Sequence, residues 1–168
     1  MIKTLYHSNG QIKSQAKYTS GMSAGIYKKW DTAGNLIVMI NYADGEFHGD
    51  YKERYSNGQL RIRTSYVHGQ KQGKYREWYP NGCLMLVEFN INGHPHGERC
   101  QFYDNGVRSV REFYDHGKLE GEREVWYSDG KIGVSQYFIN GKVFVEKFSE
   151  YKKYLFLMIK KKIQYLVN

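Results

Sequence analysis

Histidine is the residue type here best suited to metal chemistry, because a neutral imidazole ligates Zn²⁺ and similar ions. The densest cluster is the segment 94–96, His-Pro-His. However, His48 and His96 lie 48 residues apart, and so do His68 and His116. These side chains therefore recur with the repeat described below, and no set of four ligands has the spacing of a zinc site. We expect the histidines to occupy solvated turns, and the sequence predicts no metal site and no cofactor.

Carboxylates and thiols offer the other chemistry that the sequence could support. Paired carboxylates can act as general acid and base, but the acidic run near the end of the repeats is typical of solvated strand ends. Neither cysteine belongs to a Cys-x-x-Cys pair, and the sequence lacks Walker A and Gly-x-Gly-x-x-Gly motifs. The sequence therefore predicts that this chain is not an enzyme. The acidic residues in question are Asp115, Glu120, Glu122 and Glu124, and the cysteines are Cys83 and Cys100.

Tyrosine could instead bind a partner, because large rigid rings are favoured at protein interfaces. Interleaved tyrosine and arginine can also bind nucleic acid, but residues 1–142 carry 19 basic and 15 acidic residues. The small excess of positive charge argues against nucleic acid as a partner. The candidate partner surface consists of Tyr51, Tyr55, Tyr75, Tyr79, Tyr103 and Tyr127.

The spacing of the glycines indicates the repeat architecture that must position these side chains. Seventeen of the eighteen glycines fall on three series with steps of 24 residues, which start at Gly10, Gly21 and Gly25. Gly133 is the exception. Such a period indicates a repeat architecture, here an array of six 24-residue units without insertions.

Each unit is predicted to be a β-hairpin. Asn-Gly pairs such as Asn57-Gly58 favour type I′ turns, in which both central residues have positive φ. The flanking segments, such as 75–79 and 84–89, are rich in β-formers that alternate with period 2. We expect an all-β, elongated, single-layer antiparallel sheet over residues 1–142.

The glycine period ends before residues 143–168, which form a last strand and a basic segment. From Phe148 to Leu166 the apolar residues follow helical spacing, and Ser149 is a suitable N-cap. The sequence predicts an amphipathic α-helix that caps the array. Its lysines could also contact an anionic membrane surface. These lysines are Lys152, Lys153, Lys160, Lys161 and Lys162.

Length and composition limit the class of protein. The 168 residues suit a single domain, and two cysteines favour a reducing compartment. The N-terminal residues lack the apolar stretch of a secretory signal, and no uncharged apolar run approaches about 18 residues. We expect an intracellular, cytoplasmic protein, either free or peripheral at a membrane.

The repeat resembles the MORN repeat, in the variant with Tyr/Trp-Tyr-x-Asn-Gly-x-Leu followed by Tyr-x-x-Gly-x-x-x-Gly. Segments 55–60, 66–73 and 78–84 match it closely. The resemblance covers about residues 5–142. It implies a scaffold, a dimerisation module or a membrane-associated adaptor, and similar repeats occur in antitoxin-like bacterial proteins and in large DNA viruses.

Residues and resemblance together favour a non-catalytic scaffold that binds another protein or a second copy of this chain. Two alternatives stay open. The first is a peripheral adaptor that binds anionic lipid through the basic tail, and the second is an antitoxin-like protein that neutralises a partner.

Overall fold

The protein is all-β in the computed structural model, which describes residues 1–145. Sixteen strands follow one another with short connections, and the six-unit period is visible in their order. Their bounds are β1 Ile2–Tyr6, β2 Ile12–Thr19, β3 Met22–Ser23, β4 Gly25–Trp30, β5 Leu36–Ala43, β6 Glu46–Arg54, β7 Leu60–Val67, β8 Gln70–Lys71, β9 Gly73–Trp78, β10 Leu84–Ile91, β11 His94–Pro95, β12 Gly97–Phe102, β13 Arg108–Asp115, β14 Lys118–Trp126, β15 Ile132–Ile139 and β16 Lys142–Val145.

The strands form one open antiparallel sheet in which sequence neighbours pair. The order is β1-β2-β4-β5-β6-β7-β9-β10-β12-β13-β14-β15-β16, and the two-residue strands β3, β8 and β11 pair with β2, β7 and β10. A register shift recurs next to the Asn-Gly turns, for example between Glu53 and Arg54. The prediction of an open sheet of β-hairpin repeats is therefore confirmed.

The turn type predicted at the Asn-Gly pairs is wrong. At Asn57-Gly58 only the glycine has positive φ (84°), and its N–H donates to Tyr55 O at 2.9 Å. This is a type I turn that ends in a left-handed glycine. Asn57 keeps negative φ and accepts the N–H of Gln59 through its Oδ1 at 3.1 Å.

The turns with two positive-φ residues lie instead at the second glycine series. There the residue before each glycine also has φ near 50°, which matches type I′. The six pairs are Ser20-Gly21, Asp44-Gly45, His68-Gly69, Asn92-Gly93, His116-Gly117 and Asn140-Gly141.

The sheet has two faces with different chemistry. Because side chains alternate along a strand, Tyr42, Tyr66 and Tyr114 define one face, called here the tyrosine face. Trp30, Trp78 and Trp126 define the other, called the tryptophan face.

Burial is sparse, as expected of a single layer, and more polar than apolar side chains are buried in the described residues. The buried apolar residues are Ile40, Tyr75, Cys100 and Phe138, and the buried polar residues are Ser14, Thr64, Glu88, Asn90, Glu112 and Glu124.

The predicted capping helix falls on residues 146–168, outside the described residues. Within the described part, no helix is long and apolar enough to cross a membrane.

Candidate interaction surface

Three of the six tyrosines predicted as partner surface hold neighbouring units together. The hydroxyls of Tyr55, Tyr79 and Tyr103 each donate to a main-chain carbonyl 23 residues further on, at 2.8–2.9 Å. The acceptors share one repeat position and are Trp78, Phe102 and Trp126. These hydroxyls are therefore engaged within the array and are not free to bind a partner.

Tyr51 and Tyr75 pack on the tyrosine face. Tyr75 is buried at 7 % exposure, and its hydroxyl donates to Glu77 at 3.0 Å. Burial, together with the Glu77 carboxylate, raises the pKa of Tyr75 above its usual value. Tyr51 donates to Glu53 at 2.8 Å, and burial followed by this hydrogen bond raises its pKa in the same direction.

Tyr127 differs from the other five because it is 62 % exposed. Its ring lies over Gly133, where a Cβ would approach the ring to 2.9 Å. This contact accounts for the glycine that falls outside the 24-residue series, since a larger side chain would displace the ring.

A ladder of alternating charges crosses the tyrosine face in the later units. Arg99 donates to Glu88 at 3.1 Å and to Glu112 at 2.9 Å, and Arg123 donates to Glu112 at 2.9 Å and to Gln136 at 3.1 Å. The two arginines replace, at the same repeat position, the tyrosines of earlier units. Because Glu88 and Glu112 are buried, each carboxylate depends on these arginines for its charge balance.

The tryptophan face carries a row of cations in the earlier units. Lys28 and Lys52 both pair in register with Met39, and Lys52 pairs with Arg63. Arg63 in turn lies directly opposite Arg76. We call Lys28, Lys52, Arg63 and Arg76 the basic half.

Arg63 and Arg76 make no ion pair, hydrogen bond or ring contact within residues 1–145. Like charges directly opposite each other destabilise a sheet. This pair therefore does not stabilise the fold by itself.

The same face is acidic in the later units. Arg111 lies 2.8 Å from Glu98, 3.5 Å from Glu122 and 3.4 Å from Glu124. One guanidinium therefore serves three carboxylates, which we call the acidic half. The sequence reading placed Glu122 and Glu124 in a solvated run, whereas Glu124 is only 8 % exposed.

Three residues of types that bind metal ions come together beside the ends of β11 and β13. Single ligand atoms of His96, Asp115 and His116 all lie within 4.8 Å of one another. Sequence spacing did not reveal this group, because the side chains come from different hairpins. The lysines predicted to contact a membrane, at 152, 153 and 160–162, lie outside the described residues.

An open sheet built from successive 24-residue hairpins defines a β-hairpin repeat protein. The family model described as MORN repeat variant matches residues 2–19, 47–68 and 95–116. The matches begin 45 and 48 residues apart and so fall on alternate units, while the units between them have the same kinds of strands and turns. Three segments of the chain therefore match MORN repeats, and such repeats are non-enzymatic modules that generally bind proteins or membranes. No curated protein matches the chain.

Sequence reasoning missed the basic and acidic halves. Both are visible only in the pairing register, because cations from four strands have to be placed on one face. A sequence signal could have revealed them. Assigning each charged residue to one face of the sheet by period-2 alternation, and then comparing the units face by face, shows where the sign of the charge changes.

Proposed function

We propose that this protein is a non-catalytic scaffold that associates with a second copy of itself through the tryptophan face. The observation that supports the proposal is the reversal of charge along that face. The basic half lies on strands β4, β6, β7 and β9, and the acidic half lies on β12 and β14.

A two-fold dimer requires a surface that is complementary to itself. When two copies meet face to face in opposite directions, the basic half of each copy lies against the acidic half of the other. The unpaired Arg63 and Arg76 then gain carboxylate partners, and the excess of carboxylates around Arg111 gains cations.

Apolar side chains lie between the two charged halves. Val87 pairs in register with Arg76 on one side and with Cys100 on the other, and Phe89 is 45 % exposed. An apolar centre with charged residues around it is the usual anatomy of a protein interface.

Sedimentation velocity on charge-reversed variants tests the proposal. The double variant Arg63→Glu/Arg76→Glu makes the basic half acidic, and Glu98→Lys/Glu122→Lys makes the acidic half basic. Each variant alone is expected to be monomeric under conditions in which the wild type is dimeric. Mixed together they are expected to form a heterodimer, because both contacts then again join opposite charges.

A matched control changes the net charge equally but on the tyrosine face. Lys3→Glu/Lys29→Glu alters two exposed lysines there and is expected to leave the dimer intact. A monomeric wild type, or a dimer that persists in both reversed variants, overturns the proposal.

A vesicle-binding assay on the same variants tests the membrane alternative. If the wild type is monomeric and binds phosphatidylserine vesicles in a way that Arg63→Glu/Arg76→Glu abolishes, the basic half is a lipid-binding surface. That result replaces self-association as the function.

A further inference from the structure

We propose that His96, Asp115 and His116 form a binding site for a divalent transition-metal ion such as Zn²⁺. His96 follows β11, Asp115 ends β13, and His116 is the first residue of the next turn. Asp115 Oδ1 lies 3.3 Å from His96 Nδ1 and 2.6 Å from His116 Nδ1. The two imidazole ring centroids are 4.8 Å apart.

The spacing of these atoms suits a tetrahedral ion. Bonds of about 2.0–2.2 Å from zinc to nitrogen or oxygen place tetrahedral ligand atoms roughly 3.3 Å apart. The His96–Asp115 separation already has this value, and His116 has to retreat by less than about 1 Å. Imidazole and carboxylate are both ligands of Zn²⁺, and three protein ligands leave a coordination position for water.

The His96 side chain lacks the hydrogen bond that other side chains make at this repeat position. In neighbouring units the same repeat position holds Gln72 and Glu120, whose side chains accept the main-chain N–H of Asn92 at 3.0 Å and of Asn140 at 2.7 Å. His96 makes no such bond. Its Nδ1 is shielded from solvent and makes no hydrogen bond in the described structure, although Asp115 Oδ1 lies 3.3 Å away, so a cation bound between the two atoms would satisfy both.

The repeat provides an internal comparison 48 residues earlier. His48 and His68 occupy the positions of His96 and His116, with ring centroids 5.4 Å apart. Val67 stands where the other pair has Asp115. Within residues 1–145 only the later pair belongs to a three-ligand group, so we expect one site per chain.

Titration of the full-length, metal-free protein with Zn²⁺ by calorimetry tests the proposal, with the absorption spectrum of bound Co²⁺ as a second readout. The wild type is expected to bind one ion, with the visible absorption of a tetrahedral site. His96→Gln and Asp115→Asn are expected to lose this binding. His96→Gln introduces the residue type found at Gln72, so the fold is expected to remain intact, as circular dichroism can verify.

Matched controls separate this site from other ligands. His48→Gln and Cys83→Ser are expected to bind one ion as the wild type does. Val67→Asp places a carboxylate beside the earlier histidine pair at an exposed position, and is expected to raise the stoichiometry from one ion to two.

No binding to the wild type, binding that survives Asp115→Asn, or binding lost in His48→Gln overturns the proposal. An unchanged stoichiometry in Val67→Asp also contradicts it, because this variant would then show that the three-residue arrangement does not determine binding.

Discussion

The hydroxyl of Tyr79 donates a 2.9 Å hydrogen bond to the main-chain carbonyl of Phe102, one repeat further along the chain. Asn81 makes a parallel contact, donating through Nδ2 to Asp104 O at 2.9 Å. The most regular polar residues of the repeat therefore link each hairpin to the next. In an array where each unit contacts only its neighbours, such links carry the coupling between units.

Removing this hydroxyl tests its contribution to stability. Tyr79→Phe is expected to lower the free energy of unfolding by about 1 kcal/mol, because it leaves a carbonyl without its donor. The measurement is urea denaturation followed by circular dichroism. Tyr27→Phe is the matched control, since the Tyr27 hydroxyl makes no hydrogen bond within residues 1–145. Equal losses in the two variants would show that the link contributes nothing specific.

The charged ladder on the tyrosine face is expected to be the most sensitive part of the array. Arg99→Met removes the cation between two buried carboxylates and should destabilise the protein by about 3 kcal/mol. Lys131→Ala breaks an exposed 3.0 Å pair with Asp129 and should change stability by less than about 1 kcal/mol.

A double-variant cycle tests whether the loss of stability in Arg99→Met comes from the buried carboxylates that it leaves without a cation. Adding Glu88→Gln to Arg99→Met removes one uncompensated charge and is expected to recover part of the stability. If the double variant is as unstable as the sum of the single variants, the charges are not coupled.

The two cysteines are expected to differ in reactivity. Cys100 is 5 % exposed, and burial together with the charge of Glu98 raises the pKa of its thiol, whereas Cys83 is half-buried. Because the thiolate is the nucleophile, iodoacetamide should modify Cys83 in the native protein and Cys100 only after unfolding. Mass spectrometry of digested samples measures this. Rapid native modification of Cys100 would contradict the packing of the tryptophan face.

Alkaline pH is expected to destabilise the fold through Tyr51 and Tyr75. Their pKa values are raised in the folded state by burial, and also by Glu53 and Glu77. Above pH of about 10 the unfolded chain loses tyrosine protons that the folded chain retains. The contribution of these two tyrosines to the unfolding free energy should therefore be constant below that pH and fall as the pH rises further.

Tyr75→Phe is the variant that tests this slope. It is expected to show a shallower fall in stability between pH 10 and pH 12 than the wild type, as measured by urea denaturation at each pH. Parallel curves for Tyr75→Phe and the wild type would contradict the role of burial.

The sequence by itself determined the repeat. Glycines at a fixed period and alternating β-formers are local signals, because a turn needs positive φ at its own residues and a strand needs side chains with period 2. For this reason the hairpins, the antiparallel sheet and the match to MORN repeats were all predictable from residues such as Gly10, Gly21 and Gly25. The local signal misled only on turn type, since it does not show whether Asn57 or His68 adopts positive φ.

Only the tertiary structure decided which side chains meet. The opposed cations Arg63 and Arg76 lie on different hairpins, and so do the metal ligand candidates His96 and His116. Their proximity depends on the register between hairpins. Residues that share a repeat position are equivalent in sequence. This equivalence does not show whether their side chains contact their own unit or the next one. Tyr79 illustrates the difference, because its recurrence suggested a binding surface and its hydroxyl instead bonds to the neighbouring hairpin.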